Sequence, residues 1–255
     1  MYSGLASARS ALSSVVQIQG YSSLSGHPMV ARFLKGIFNR YPPAAKYANI
    51  WDIDVLLQYY KSLPSNQALD FKALSQKLVA LLMILGGRRK QALVNISYNN
   101  VVIEEDKLVL LPNITSKHSK PGQSLQPIIF KKFPVSEKLC VVNCVMEYIK
   151  RRNALADKNE TAFIITYGKP HKQAKPDTIS RWLKNELMSA GIDSSIYKAH
   201  SYRSASASKA TEKGISYKDI LKRGCWKTES TFQQFYKKDV ISNIEECDYV
   251  QHLLK

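Results

Sequence analysis

The spacing of apolar residues along the chain predicts a mainly helical protein. Apolar side chains recur every three or four residues over a series of stretches, with polar residues between them. The stretch Phe71–Leu85 is apolar on nearly every side and ends at Gly86-Gly87, which predicts a buried helix with a glycine stop. Helices are predicted over residues 7–16, 29–41, 52–63, 71–85, 141–152, 178–190 and 204–210.

A smaller set of segments predicts β-structure. Val101–Pro112, Gln126–Phe130 and Phe163–Thr166 are short and rich in large apolar and β-branched residues, as strands are. Together with the helices they predict an α+β fold that is mainly α, with a small β-sheet.

A change of composition after residue 40 divides the chain. The segment Tyr41-Pro-Pro-Ala-Ala-Lys-Tyr contains paired prolines, which resist both helix and sheet. A chain of 255 residues with 45% hydrophobic content can form one domain and part of a second. We therefore expect residues 42–50 to link a small helical part, 1–41, to a large domain, 51–255.

The charge balance points to a polyanionic partner. Lys and Arg number 37 against 20 Asp and Glu, which gives a formal net charge of +17 and a sequence pI near 9.7. A clustered excess of this size is typical of nucleic-acid-binding proteins, whose binding is sensitive to salt. A basic surface without a dedicated partner is the alternative.

Cysteine and histidine usage gives no support for a metal site. Cys140 and Cys144 lie four residues apart in an apolar helical stretch without histidines at zinc spacing, which predicts buried thiols in a reducing compartment. The five histidines are dispersed along the chain. No apolar run approaches the roughly 18 residues of a membrane span.

The stretch from His200 to Tyr236 carries the candidate chemistry. His200 and Arg203 are three residues apart, so on a helix they converge on one target. Arginine holds phosphate oxygens and histidine exchanges protons near neutral pH. Ser216-Tyr-Lys-Asp219 predicts a helix start, followed by Trp226 and a short helix carrying Tyr236. Singly these residues favour a surface helix and core aromatics, whereas as a group they suit phosphoryl transfer to a phenol.

With this order and spacing, the sequence resembles the tyrosine recombinases, also called the phage integrase family, from about Ser7 to Tyr236. Within that family it is most similar to the recombinases of eukaryotic Crypton-type and DIRS-type mobile elements. The resemblance implies that residues 1–41 are the C-terminal part of a helical core-binding domain. It implies that residues 51–255 are the catalytic domain with a C-terminal tail helix, and that its strands form a small antiparallel sheet with a hairpin.

The family places its first catalytic arginine just after a buried helix, where Arg88 and Arg89 compete. Relatives have apolar residues four and seven positions after this arginine, and from Arg89 these positions are Leu93 and Ile96. From Arg88 the seventh position is polar, so Arg89 is the better match and Arg88 becomes a DNA contact. Many relatives carry an acidic residue three positions after the arginine, where this chain has Ala92.

The resemblance implies metal-independent phosphoryl transfer through a 3′-phosphotyrosine, without a cofactor. The catalytic residues it implies are Arg89, Lys117, His200, Arg203, Trp226 and the nucleophile Tyr236. Lys117 lies in the run Lys117-His-Ser-Lys120-Pro-Gly and matches a hairpin lysine that protonates the leaving 5′ hydroxyl, although a solvated basic turn is the alternative. The DNA-contacting residues implied are Arg88, Lys120, Arg32 and Lys35. The step from Trp226 to Tyr236 is one residue longer than in the best-known bacterial and phage relatives.

We expect a nuclear enzyme of a mobile element that cleaves and rejoins double-stranded DNA at specific sites. The family implies a homo-tetramer on DNA, with a monomer in its absence as the alternative. The apolar spacing of the tail, residues 241–254, suits a contact with a neighbouring subunit or with its own domain. Two other functions stay open, namely DNA relaxation by a type IB topoisomerase-like enzyme and DNA binding without cleavage.

Overall fold

The computed structural model describes residues 2–42, 47, 49–112, 126–226 and 229–241. By their contacts these fall into two compact units, Met1–Ala48 and Asn49–Lys255. The helices are α1 Tyr2–Ser13, α2 Pro28–Arg40, α3 Ile53–Ser62, α4 Phe71–Gly86, α5 Lys90–Val94, α6 Val141–Leu155, α7 Pro176–Ser189, α8 Ser201–Glu212, α9 Tyr217–Gly224 and α10 Glu229–Phe235. The strands are β1 Asn49–Trp51, β2 Val101–Ile103, β3 Lys107–Leu110, β4 Ile128–Lys131 and β5 Asp239–Ile241.

The first unit is built on α1 and α2. Helix α2 begins with Pro28 in its first turn, and its N-cap His27 accepts a hydrogen bond from the Met29 amide at 3.3 Å. The two helices meet where the rings of Tyr2 and Phe38 pack edge to face, 5.3 Å apart. Leu34 supplies the buried residue of α2.

The second unit is organised around α4. Every residue from Leu74 to Ile84 is buried, because α6, α7 and α8 all pack against this helix. Asp70 caps its first turn by accepting from the Ala73 amide at 2.6 Å, and Gly87 ends it with a φ of 60°. A side chain other than glycine is strained at that angle, so the predicted glycine stop is confirmed.

Two small sheets complete the second unit. Strands β2, β3 and β4 form an antiparallel sheet in which Leu108 pairs with Ile103 on one side and with Phe130 on the other. Strands β1 and β5 pair in parallel, Ile50 opposite Val240. The expected fold class, mainly α with a small antiparallel sheet, is confirmed, whereas the parallel pair was not predicted.

Three predictions about elements need correction. The predicted strand Val101–Pro112 is two strands, because the acidic residues 104–106 form a tight turn closed by a hydrogen bond from the Glu104 amide to the Lys107 carbonyl, 2.8 Å. Residues 163–166 are a connection rather than a strand, buried at its first three positions and with one isolated bridge, between Ile165 and Gln173. Tyr236 lies in the turn directly after α10 rather than within a helix.

The buried cysteines behave as predicted, since Cys140 and Cys144 are both free thiols inside the unit. Within the described residues no helix is long and apolar enough to cross a lipid bilayer. The predicted tail helix, residues 241–254, lies outside the described residues apart from Ile241, which is the last residue of β5.

Candidate active site

The turn that ends α4 places two arginines directly after a glycine. Gly87 leaves the helix in the left-handed conformation, and Arg88 and Arg89 follow it directly. Arg89 occupies the N-cap position of α5, and Leu93 and Ile96 after it are 2% and 1% exposed. The two apolar positions counted from Arg89 therefore anchor this turn in the core.

Helix α8 carries the second part of the site. His200 is exposed at its N-cap position, and Arg203 in its first turn is only 4% exposed. The small side chains that follow allow α8 to pack closely against α4. As a result, Nη1 of Arg203 donates a hydrogen bond to the carbonyl oxygen of Gly87 at 2.6 Å.

Two aromatic rings cover the guanidinium group of Arg203. Its central carbon lies 3.7 Å from the ring centroid of Trp226 and 5.1 Å from that of Tyr236. The two rings pack edge to face with centroids 5.0 Å apart. We call Arg203, Trp226 and Tyr236 the guanidinium cluster. A cation over aromatic faces in a desolvated setting is stabilised by the electron-rich ring.

Local packing fixes the Trp226 ring. A Cβ atom at Gly224 would lie 1.7 Å from a carbon of that ring, so residue 224 has to be glycine for the ring to occupy this place. The ring also packs edge to face against Phe232 of α10, with centroids 5.3 Å apart. Phe232 in turn belongs to a small apolar core with Ala207 and Ile220.

The electrostatics of the cluster suit an anion. Burial lowers the pKa of Arg203 to about 10; the phenol of Tyr236 opposes this effect and the positive charge of Arg89 adds to it. Arg203 is still protonated at neutral pH. Its Nε and Nη2, and Nε1 of Trp226, are buried and have no hydrogen-bond partner within the described residues. These donors can hold the oxygens of a phosphate group.

Arg88 points to a different place. Its Nη1 donates to Sγ of Cys225, and its charge, after burial, contributes to lowering the pKa of Arg223. Arg223 is itself held by carbonyl groups, donating to Leu85 at 3.0 and 2.8 Å and to Ile129 at 2.6 Å. Arg88 therefore borders the site on the α9 side, whereas the charge of Arg89 acts on Arg203.

The other predicted site residues are not part of this cluster. Lys117 and Lys120 fall on residues 113–125, outside the described residues. Arg32 and Lys35 are exposed on α2 in the first unit. Sequence reasoning missed the Gly87 carbonyl and Ser208, whose hydroxyl is bonded to the backbone around Tyr236. No sequence signal marks a carbonyl group or one serine among several.

Across the described ranges, no group of three His, Cys, Asp or Glu side chains is arranged to hold a metal ion.

Comparison with known proteins identifies the family of the chain. The model of the phage integrase family matches residues 53–240, so the chain belongs to that family, the tyrosine recombinases. No curated protein sequence gave a significant match.

Among solved structures, the fold is similar to that of the XerH site-specific recombinase bound to its difH substrate before cleavage. The TM-score is 0.56 at 10% identity, over 90% of this chain and 65% of that one. The XerH complex after cleavage of a palindromic difH substrate gives 0.62 at 12% identity, over 89% and 59%. The XerA recombinase gives 0.52 at 16% identity, over 82% and 68%. The chain thus spans about two thirds or less of the XerH chains.

Proposed function

We propose that this protein cleaves and rejoins DNA strands at specific sites through a 3′-phosphotyrosine intermediate, with Tyr236 as the nucleophile. The observation that carries the proposal is the guanidinium cluster. Arg203 is almost fully buried, has two nitrogens that no carbonyl or carboxylate of the described residues accepts from, and lies 5.1 Å from the Tyr236 ring. A buried charge with unused donors beside a phenol suits a phosphate group that the phenol attacks.

The chemistry uses the side chains around that phosphate. Arg203 and Arg89 hold its non-bridging oxygens, and Nε1 of Trp226 donates to one of them. The Tyr236 oxygen attacks phosphorus while its proton passes to His200, and a tyrosine O–P bond forms as the bond to the 5′ oxygen breaks. Lys117 gives a proton to the departing 5′ oxygen. A 5′ hydroxyl of another strand reverses these steps, so no external energy source is needed.

The biological setting is also a proposal. The net charge of +17 and the family membership support double-stranded DNA as the partner. The sequence resemblance supports a Crypton- or DIRS-type mobile element and hence a nuclear enzyme that works as a homo-tetramer on DNA. In this proposal residues 1–41 end a core-binding domain, 42–50 form the linker and 51–255 form the catalytic domain. Contacts to DNA come from Arg32, Lys35, Arg88 and Lys120.

A second candidate is a recombinase-derived DNA-binding protein that does not cut. Ala92 favours it, because many relatives have an acidic residue at that position. In this structure Ala92 follows Arg89 by one helical turn, and its amide donates to the Arg89 carbonyl at 2.9 Å. A carboxylate that would steady Arg89 from this position is therefore replaced by a methyl group.

A nicked suicide DNA substrate separates the two candidates. The nick lets the leaving fragment diffuse away, so a covalent protein–DNA adduct accumulates and is counted on a denaturing gel in EDTA. We expect an adduct from the wild type and none from Tyr236→Phe. An adduct from both variants would move the nucleophile to another tyrosine. Tight binding without an adduct, on the terminal sequences of the parent element, would favour the non-cleaving protein.

A further inference from the structure

The backbone that carries Tyr236 is bonded to α8 through one hydroxyl group. Oγ of Ser208 donates to the carbonyl oxygen of Tyr236 at 3.1 Å and accepts from the amide of Lys238 at 2.9 Å. Ser208 is 3% exposed. A serine hydroxyl has one donor and two acceptor positions, and here both kinds are used on the two sides of one turn.

Ser208 and Arg203 belong to the same rigid element. They are five residues apart on α8, which corresponds to about 7.5 Å along the helix axis. Arg203 reaches the Gly87 carbonyl and lies under the Tyr236 ring, while Ser208 holds the Tyr236 backbone. Helix α8 therefore fixes the positions of both Arg203, the proposed phosphate-binding group, and Tyr236, the proposed nucleophile.

The chain beyond Lys238 returns to α8 by a second route. Strand β5 pairs with β1, and Nε1 of Trp51 in β1 donates to Oγ of Ser201 on α8 at 2.8 Å. Just after β1, Asp52 and Asp54 each lie 3.0 Å from Nζ of Lys209. The strand pair thus ties the segment after Tyr236 to α8. The turn at residues 236–238 is itself held by Ser208 and by the amides of Tyr236 and Lys237, which donate to the Phe232 carbonyl at 2.8 and 3.1 Å.

We propose that Ser208 is a positioning residue that fixes the Tyr236 turn at the distance from Arg203 required for attack. This role rests on the proposed function, in which Tyr236 is the nucleophile. Without the hydroxyl, the Tyr236 carbonyl and the Lys238 amide lose the hydrogen bonds that join them to α8 at this half-buried contact, and the turn shifts. The side chains that hold the phosphate are unchanged, so DNA affinity is retained while cleavage slows.

The test compares Ser208→Ala with Ser206→Ala. Ser206 lies two residues earlier on α8, and its hydroxyl bonds to the Ile84 carbonyl of α4, so its loss removes a similar hydrogen bond away from Tyr236. Cleavage is measured in single turnover on the suicide substrate, DNA affinity by titration, and exchange of the Lys238 amide by mass spectrometry without DNA. Ser208→Thr keeps the hydroxyl, and Lys238→Pro removes the donor from the other side.

We expect Ser208→Ala to cleave about 100-fold more slowly than Ser206→Ala, the loss typical of a reacting group misplaced by about 1 Å, with unchanged DNA affinity. The Lys238 amide should exchange faster in Ser208→Ala, and Ser208→Thr should restore both cleavage and protection. Lys238→Pro should slow cleavage to a similar extent, which keeps the test valid if Ser208→Ala does not fold.

Two results would overturn the role of Ser208. Cleavage by Ser208→Ala or Lys238→Pro as fast as by Ser206→Ala would show that the turn needs no such bond. Slow cleavage by Ser208→Thr with protected Lys238 would show that the hydroxyl is not the cause. Absence of an adduct from the wild type overturns the proposed function itself, whereas an adduct that Ser208→Ala forms at the wild-type rate overturns only the role of Ser208.

Discussion

Two arginines in the second unit are buried to nearly the same degree but bonded differently. Arg152 on α6 is 3% exposed, and all three of its guanidinium nitrogens donate hydrogen bonds. Nη2 donates to the carbonyl groups of Glu160 at 2.6 Å and Ala162 at 2.7 Å, and Nε donates to that of Ala162 at 3.0 Å. The group also lies 4.3 Å from the centroid of the Tyr98 ring.

Arg203 is 4% exposed, yet Nη1 alone has a carbonyl partner, Gly87, within the described residues. Burying a charged donor without a hydrogen bond costs free energy, so native proteins rarely leave such groups unused unless a ligand completes them. The bonding of Arg152 stabilises the fold around residues 160–162. That of Arg203 is incomplete in a way that an anion would complete. Burial alone therefore does not distinguish these two arginines; their hydrogen bonding and the phenol beside Arg203 do.

The variant Arg203→Gln tests most directly whether Arg203 differs in function from Arg152. We expect cleavage of the suicide substrate to fall at least about 1000-fold, as when an arginine that stabilises a phosphoryl-transfer transition state is removed. The melting temperature should fall less than for the better-bonded Arg152, because the variant also removes a buried charge that the protein bonds only in part. Single-turnover adduct formation and thermal unfolding of the same samples measure the two effects.

The matched control is Arg152→Gln, which should do the opposite. It leaves the carbonyl groups of Glu160 and Ala162 without their donor, so the free energy of unfolding should fall by about 3 kcal/mol. Cleavage by the folded variant should be unchanged. If both variants lost stability equally and both kept cleavage, the distinction between the two arginines would be wrong.

A second prediction separates the neighbouring arginines 88 and 89. Arg89→Ala should slow cleavage by roughly 100- to 1000-fold, because it removes a donor from the phosphate. Arg88→Ala should slow it by less than about tenfold and should mainly weaken DNA binding, with a smaller dependence on salt. Each variant is the control for the other, since both remove one positive charge from the same turn. The reverse order of effects would assign the catalytic role to Arg88.

The part of the site that sequence predicts is the part with a strong local pattern. The buried positions of Leu93 and Ile96 follow from the apolar spacing counted from Arg89, and the structure confirms that both lie in the core. The motif order grouped Arg203 with Trp226 and Tyr236, which do pack together. The roles of these residues in catalysis stay predictions.

The rest depends on tertiary contacts that leave no local pattern. Strands β1 and β5 pair in space but are far apart in the sequence. Each has only three residues, which is too short for a periodic pattern. Ser208 is one of several serines on a helix of small residues, and its role depends on where the chain returns after α10. The Gly87 carbonyl is a backbone group, so no residue type in the sequence indicates its role. Acidic residues 104–106 were placed inside a strand because the apolar residues on both sides outweighed them.

A third prediction extends the comparison to a buried carboxyl group. Glu186 on α7 is 5% exposed and accepts a hydrogen bond from Oη of Tyr60 at 2.7 Å. Burial raises the pKa of Glu186 from 4.5 to about 7, and the Tyr60 hydrogen bond and the charge of Lys77 oppose the shift. Arg152 donates hydrogen bonds from all three of its nitrogens, whereas the one bond given above for Glu186 comes from Tyr60. Glu186 also does not belong to the guanidinium cluster.

The sign of the effect on stability follows from the raised pKa. Between about pH 4.5 and 7 the folded protein binds a proton at Glu186 that the unfolded chain releases, so stability falls as pH rises and levels off above pH 7. Glu186→Gln keeps an acceptor for Tyr60 but cannot ionise. We expect it to be more stable than the wild type at pH 8, by up to about 3 kcal/mol, and equally stable at pH 4.5. Urea unfolding at both pH values measures this, and the exposed Glu137→Gln controls for net charge. Parallel pH profiles for wild type and Glu186→Gln would mean that Glu186 carries its charge in the fold at no cost. Burying an incompletely bonded charge would then cost no stability at Glu186. The argument that the unused donors of Arg203 need an anion, which depends on such a cost, would lose its support.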